Sequence, residues 1–143
     1  MGPMAVTLRP AHDGDVAALV SLLAQLGYRR TPEEVRLGLT AEEGTETIVA
    51  EDGEVIGFVS FHTRRHLHQG AKVTSIDVLA VDENHRSAGI GSALVAEAME
   101  AARARGAVMI DLHSNVARTE ARRFYEHLGF TVTSNFFVHR LDE

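Results

Sequence analysis

The sequence predicts an α+β domain in which helices pack against a mixed β-sheet, in the order β-α-α-β-β-β-α-β-α-β-β, giving about seven strands and four helices. Three observations carry that reading. Short apolar segments bounded by turn residues alternate with stretches whose apolar residues recur at helical spacing. The pair Asp52-Gly53 separates two of the short segments, a strong local signal for a hairpin. A long helical stripe at about 89–105 lies between two further strands, so helices and strands share one core.

Val6-Thr7-Leu8 alternates and reads as the first strand. Asp13 is placed to cap a helix with Val16, Leu19, Val20, Leu23 and Leu26 on one face and Gly27 as its stop. Thr31-Pro32-Glu33-Glu34 starts a second helix, with Thr31 as cap, Pro32 in the first turn and Glu34 completing a capping box. Its apolar positions Val35, Leu37 and Leu39 are few and irregular, so it is expected to be short. Thr47–Ala50 and Val55–Val59 are strands joined by the Asp-Gly turn, the second running on toward Phe61. Arg64–Gly70 reads as a polar link, and Val73–Val81 as a longer strand with Asp77 the one carboxylate in its apolar middle.

After a loop at 82–88, Ile90, Leu94, Val95, Ala98 and Ala102 form the inward stripe of the long helix. Arg103 and Arg105 suit its negative end, and Gly106 stops it. Val108–Leu112 is a strand, and Arg118–Leu128 a helix ended by Gly129. Thr131-Val132 and Phe136–Leu141 are expected to close the sheet as a hairpin.

The 143 residues fit one domain, expected to span 4–143 with Met4 as its natural start. The absence of cysteine excludes disulfides, thiolate metal sites and cysteine nucleophiles, and leaves cytoplasm as the default compartment. A formal net charge of -6 argues against a nucleic-acid partner. No apolar run is long enough to cross a bilayer, so no membrane association is expected.

The most informative stretch is Val81 to Leu94. A strand enters a loop holding Arg86, Ser87, Ala88, Gly89, Ile90 and Gly91, and a helix begins there. Small residues let main-chain amides approach a ligand, the new helix offers unpaired N–H groups, and Arg86 adds a charged fork. Together these suit a diphosphate, although a turn packed tightly for purely structural reasons has the same composition. Ser92 either adds a hydroxyl to a phosphate or faces solvent. A nucleotide P-loop is excluded because no Gly-Lys-Ser/Thr follows, and the three-glycine dinucleotide fingerprint has the wrong spacing.

Arg86-x-x-Gly89-x-Gly91 resembles the acetyl-coenzyme A motif of the GCN5-related N-acetyltransferases (GNAT). Asn115, Arg118, Ala121, Phe124-Tyr125 and Gly129-Phe130 are similar to the second motif of that superfamily in order and spacing. The resemblance covers roughly residues 45–141. His66-Leu67-His68, Arg118-x-x-Ala121-x-Arg123-Phe124-Tyr125 and Asn135-Phe136-Phe137 look most like the aminoalkylphosphonate N-acetyltransferases. That branch often has His where this chain has Arg122, and Arg or Lys where it has Ser87 and Ala88. The identity of the acceptor therefore does not carry over.

The resemblance implies transfer of acetyl from acetyl-coenzyme A to a primary amine of a small molecule, by direct attack through a tetrahedral intermediate. It places the pantetheine arm along the fourth strand, near the main chain of Val78, Leu79 and Val81, with an N–H near Leu79 facing the oxyanion. It assigns the leaving-group acid to Tyr125, whose alternative role is packing beside Phe124. Asn115 either contacts the pantetheine or caps the helix after it, and Arg118 belongs to the same cofactor motif. An alkyl ammonium must lose a proton before it can attack, and Asp77 is the candidate base. Its alternative is an outward strand residue, and the nearby histidines are rivals.

Tyr28, Arg29 and Arg30 sit where the family builds its acceptor wall, or else in an exposed interhelical link. His62, Arg64, His66 and His68 are candidate acceptor contacts, favouring an acceptor with an anionic group. A metal on His66 and His68 is the weaker reading, because no HExxH pattern and no cysteine partner accompany them. The apolar run Phe136-Phe137-Val138 suggests a homodimer. Two other functions share these motifs: a non-catalytic acyl-coenzyme A sensor or interaction module, and an acetyltransferase acting on a protein lysine or N-terminus.

Overall fold

The structure is a computed structural model that describes residues 6–40, 42–86, 88–114 and 119–142. It resolves into two units, Met1–Asp111 and Leu112–Glu143.

The first unit is built on one sheet. β1 (Thr7–Pro10), β2 (Thr45–Asp52), β3 (Glu54–His66), β4 (Ala71–Val81) and β5 (Ala107–Leu112) lie side by side in sequence order. β1 to β4 pair antiparallel, and β5 is reached by a crossover through a helix, so the sheet is mixed. The hairpin expected at Asp52-Gly53 is present: Asp52 pairs with Glu54, and Gly53 takes φ +73°. β3 and β4 run further than their apolar cores suggest, to His66 and from Ala71. Each strand completes the other's ladder there, Arg64 opposite Val73 and His66 opposite Ala71, so polar side chains are tolerated at the hairpin end.

Three helices cover this sheet. α1 (Val16–Gln25) and α2 (Pro32–Thr40) bury Val16, Leu19, Leu22 and Val35 against Val49, Phe58 and Ala80. The capping box of α2 forms reciprocally: Glu34 N–H donates to Thr31 Oγ1 at 3.1 Å, and Thr31 N–H donates to Glu34 Oε1 at 2.9 Å. The start of α1 differs from expectation. His12 caps a short 3-10 turn at Asp13–Asp15, and Asp15 is the box partner. Asp15 is buried there because Arg9 grips it with two bonds of 2.9 Å while also reaching Glu51 at 3.2 Å.

α3 (Ile90–Ala104) lies on the other face. Strand alternation sends Gly57 away from the Phe58 core, and a Cβ at Gly57 would stand 3.3 Å from both Ile90 and Leu94 and 3.0 Å from the Ala80 carbonyl. Glycine at 57 therefore sets how closely α3 approaches β3 and β4. Ile90, Leu94, Val95, Ala98 and Ala102 are all buried, as the stripe predicts.

The second unit contains α4 (Thr119–His127), ended by Gly129 at φ +98°. The expected closing hairpin is absent among the described residues: 130–142 holds no strand, so the sheet has five strands rather than about seven. Phe136, Phe137 and Val138 are consecutive apolar residues, not an alternating set, and all three are exposed. A short ribbon with no buried face has little to stabilise it.

Candidate active site

β4 delivers the chain to the loop that carries the first motif. Asp82 N–H donates to the Ile56 carbonyl at 2.8 Å, which holds the strand end on the sheet. A 3-10 turn at Glu83–His85 follows. Gln25, at the end of α1, clamps this turn from both sides: its Nε2 donates to Asp82 Oδ1 at 2.8 Å, and its Oε1 accepts from Glu83 N–H at 2.9 Å. His85 Nδ1 lies 2.7 Å from Asp82 Oδ2. The Gln25 amide, and then His85, hold the Asp82 carboxyl below its usual range. Arg86 Nε donates to the Val81 carbonyl at 3.3 Å, fixing the guanidinium stem over the strand end.

Gly89 then takes φ +80°, and α3 starts with no side-chain cap. The first helical bond is Ala93 N–H to the Gly89 carbonyl at 3.0 Å, so the amides of Ile90, Gly91 and Ser92 precede the intrahelical ladder. Among the described residues nothing lies within 4 Å of where a Gly89 Cβ would be, which leaves the approach open. Main-chain donors, the helix dipole and Arg86 make this a fitting cradle for a diphosphate. Ile90 contributes main chain only, because its side chain is core. Ala88 is exposed, Gly91 and Ser92 are half-buried, and Ser87 lies outside the described residues.

Further back along β4, the ladder is irregular. Ser60 pairs with Val78 and Phe61 with Ile76, so Asp77 is an extra residue with no partner opposite. Such a bulge re-aims a side chain. Asp77 Oδ2 meets His62 Nδ1 at 2.9 Å, and both side chains keep solvent access, 47% and 33% exposed. His62 alternates with Ser60 and Phe58 on β3, so the pair stands on the face that α1 and α2 cover.

On that same face is a cavity of about 260 Å³. Leu23 of α1, Val35 and Gly38 of α2, Phe58 and Ser60 of β3 and Val78 of β4 line it, with Arg30 and Glu34 at its edge. Ser60 and Val78 are the residues that flank the bulge. Arg30 lines the cavity, whereas Tyr28 and Arg29 do not and are exposed in the interhelical link. Val78, Leu79 and Val81 are half-buried on β4. Arg64 is exposed and His66 half-buried at the far end of β3, with the His66 and His68 rings 5.2 Å apart. Among the described residues no group of three or more His, Cys, Asp or Glu is placed to hold a metal ion.

In the second unit, Tyr125 on α4 sits edge-on to Phe124 at 5.1 Å and to Phe130 at 5.7 Å between ring centres. Burial pushes its hydroxyl pKa up from the ordinary value. The group is therefore protonated at neutral pH and can donate. His113 stacks on Phe136 at 3.9 Å. Asn115 and Arg118 lie outside the described residues.

Gln25 was not singled out by the sequence. It is one polar residue at the end of an apolar helix, and only the fold brings it to a loop 57 positions away. The bulge at Asp77 is equally silent in the sequence, because alternation cannot show where it is broken.

The family model described as acetyltransferase (GNAT) family matches residues 11–130. The chain is 39% identical over 128 residues to the aminoalkylphosphonate N-acetyltransferase of Salmonella typhimurium, covering 86% of this chain and 83% of that one. It is 32% identical over 131 residues to the glucosamine 6-phosphate N-acetyltransferase of Trypanosoma brucei brucei, covering 86% and 87%. Among solved structures, one described as a transcriptional regulator from Bacillus halodurans superposes with a TM-score of 0.87 at 30% identity, covering 95% of this chain and 99% of that one.

Proposed function

Because the chain belongs to the GNAT acetyltransferase family, and is thus an acetyl-transferring enzyme, we propose that it moves acetyl from acetyl-coenzyme A to the primary amine of a small molecule that also bears a phosphonate or phosphate. The observation that carries the acceptor reading is the cavity beside the β4 bulge. At about 260 Å³ it suits a compact acceptor, and Arg30 brings a cation to its edge. The two named relatives act, by their names, on amines that carry a phosphorus oxyanion. Glu34 lines the same cavity beside Arg30, so the preference for a phosphorus oxyanion over a polyamine rests on Arg30 together with those two names.

The roles follow from the residues. Arg86 and the main chain at Ala88 to Ser92 bind the diphosphate of the acyl donor, whose thioester supplies an activated carbonyl. Val78, Leu79 and Val81 offer main-chain groups along the donor's arm. The amine nitrogen attacks the carbonyl, and a β4 amide near Leu79 receives the oxyanion. Tyr125 protonates the departing thiolate, a reading supported by its motif position and by a burial that keeps its proton on. Asn115 and Arg118 belong to the same cofactor motif. The family match spans both units, which supports treating 4–143 as one domain. We further read the protein as cytoplasmic and, from exposed Phe136, Phe137 and Val138, as a homodimer that needs no metal.

The test is release of coenzyme A thiol by the purified protein against a panel of aminoalkylphosphonates, glucosamine 6-phosphate, polyamines, aminoglycosides and amino acids. The phosphorus-bearing amines are expected to give the highest kcat/KM. Arg30→Ala is expected to raise their KM about 10-fold, the scale of one charge-assisted hydrogen bond. Equal or better turnover of polyamines would overturn the acceptor class.

A further inference from the structure

We propose that the proton leaving the acceptor amine is taken by Nε2 of His62, and that Asp77 is the positioning residue that holds the imidazole for this task. This rests on the acetyl-transfer reading above and deepens it.

The geometry starts with the bulge. Asp77 has no residue opposite it in the β3–β4 ladder, and its Oδ2 comes to 2.9 Å from His62 Nδ1. An ionised carboxylate can only accept, so Nδ1 carries the hydrogen and Nε2 is left with its lone pair. The carboxylate thereby selects the tautomer and fixes the ring. The imidazole, not Asp77, is then the free base, and an imidazole exchanges protons nearer neutrality than a carboxylate does.

Position agrees with chemistry. His62 follows Ser60 on the cavity-side face of β3, and Ser60 and Val78 line the acceptor cavity. Asp77 lies four residues before the end of β4 at Val81, about 13 Å along a strand. The diphosphate cradle begins where β4 stops, so an extended acyl arm running back along the strand ends beside the pair. Both side chains remain partly exposed, as a group that must meet a substrate requires.

The step balances. The ammonium proton passes to His62 Nε2, and the freed lone pair forms the N–C bond to the thioester carbonyl. Collapse breaks the C–S bond, the thiolate takes a proton from Tyr125, and the nitrogen's second proton, lost through solvent as the amide forms, replaces it. The products are amide, thiol and one proton, which His62 releases to solvent.

The experiment uses the full chain and the best acceptor from the panel. His62→Gln, which keeps side-chain polarity but has no ring base, is expected to lower kcat about 100-fold. The KM and dissociation constant for acetyl-coenzyme A should stay unchanged. Asp77→Asn is expected to lower kcat about 10-fold, also without moving acetyl-coenzyme A binding. The decisive readout is a fluorinated primary amine that is already neutral at pH 7. It needs no base for activation, so the His62→Gln deficit should shrink about 10-fold with it, which a merely structural role would not produce. His62→Gln retaining kcat within twofold, or losing equally on both amines, overturns the proposal while leaving acetyl transfer in place. A wild-type chain inactive on every amine overturns both.

Discussion

Tyr125 carries the proton that its proposed role as leaving-group acid requires. Its hydroxyl is pushed toward the protonated form by burial, and its ring is held edge-on by Phe124 and Phe130. Removing only the oxygen separates packing from proton donation. Tyr125→Phe is expected to lower turnover at least several-fold, while the melting temperature and acetyl-coenzyme A affinity stay close to wild type. Calorimetry beside steady-state kinetics checks both halves, and unchanged turnover would remove Tyr125 from the acid role. This residue was legible in the sequence because its motif is local. Asp77 was legible as an odd carboxylate in an apolar strand, but its partner was not. His62 lies 15 positions away, and only the pairing of β3 with β4 brings the two together.

At the scale of elements, the proposed cradle for the diphosphate depends on where α3 starts relative to the sheet. Gly57 controls this from the opposite side, since any Cβ there presses on Ile90, Leu94 and the Ala80 carbonyl. Gly57→Ala is expected to cost about 1–3 kcal/mol, the range for an overpacked core. By displacing the first turn of α3, it should also weaken acetyl-coenzyme A binding. Urea denaturation and titration with the acyl donor measure the two effects, and loss of stability with full affinity would show that α3 does not shift as a unit. The helices were readable from the sequence because caps and stripes are local signals: Thr31 and Glu34 for α2, Ile90 to Ala102 for α3. Strand limits were not. β3 runs on through Arg64 and Arg65 because β4 supplies partners, whereas Phe136 to Leu141 looks strand-like and forms none.

For the molecule as a whole, the buried ionic contact is a pH liability with a definite sign. Arg9 holds the Asp15 carboxyl below its ordinary value, and Asp15, then Glu51, push the Arg9 guanidinium pKa up in return. A carboxyl depressed in the folded state contributes stability that is complete above its unfolded value of about 3.9 and is lost as pH falls through the folded value. The urea midpoint is therefore expected to hold down to about pH 4 and to drop below it. Arg9→Met should cost about 2–4 kcal/mol at neutral pH. That is somewhat under the range for a fully buried pair, because the Arg9 side chain keeps 23% exposure. A flat acid profile in wild type would show that Asp15 does not govern acid unfolding.

The extra residue in β4 also divides that strand into two halves of opposite parity. Before it, even-numbered Thr74 and Ile76 stand opposite Thr63 and Phe61; after it, odd-numbered Leu79 and Val81 stand opposite Val59 and Gly57, on the same side of the sheet. Deleting position 77 would do more than remove a carboxylate. It would leave Ile76 opposite Phe61 and Val78 opposite Ser60 as consecutive pairs, so the ladder would close without its bulge and every flanking side chain would keep its face. A substitution at 77 consequently keeps the local bend and changes only the group it presents, whereas a deletion there straightens the strand and takes away the site that aims it.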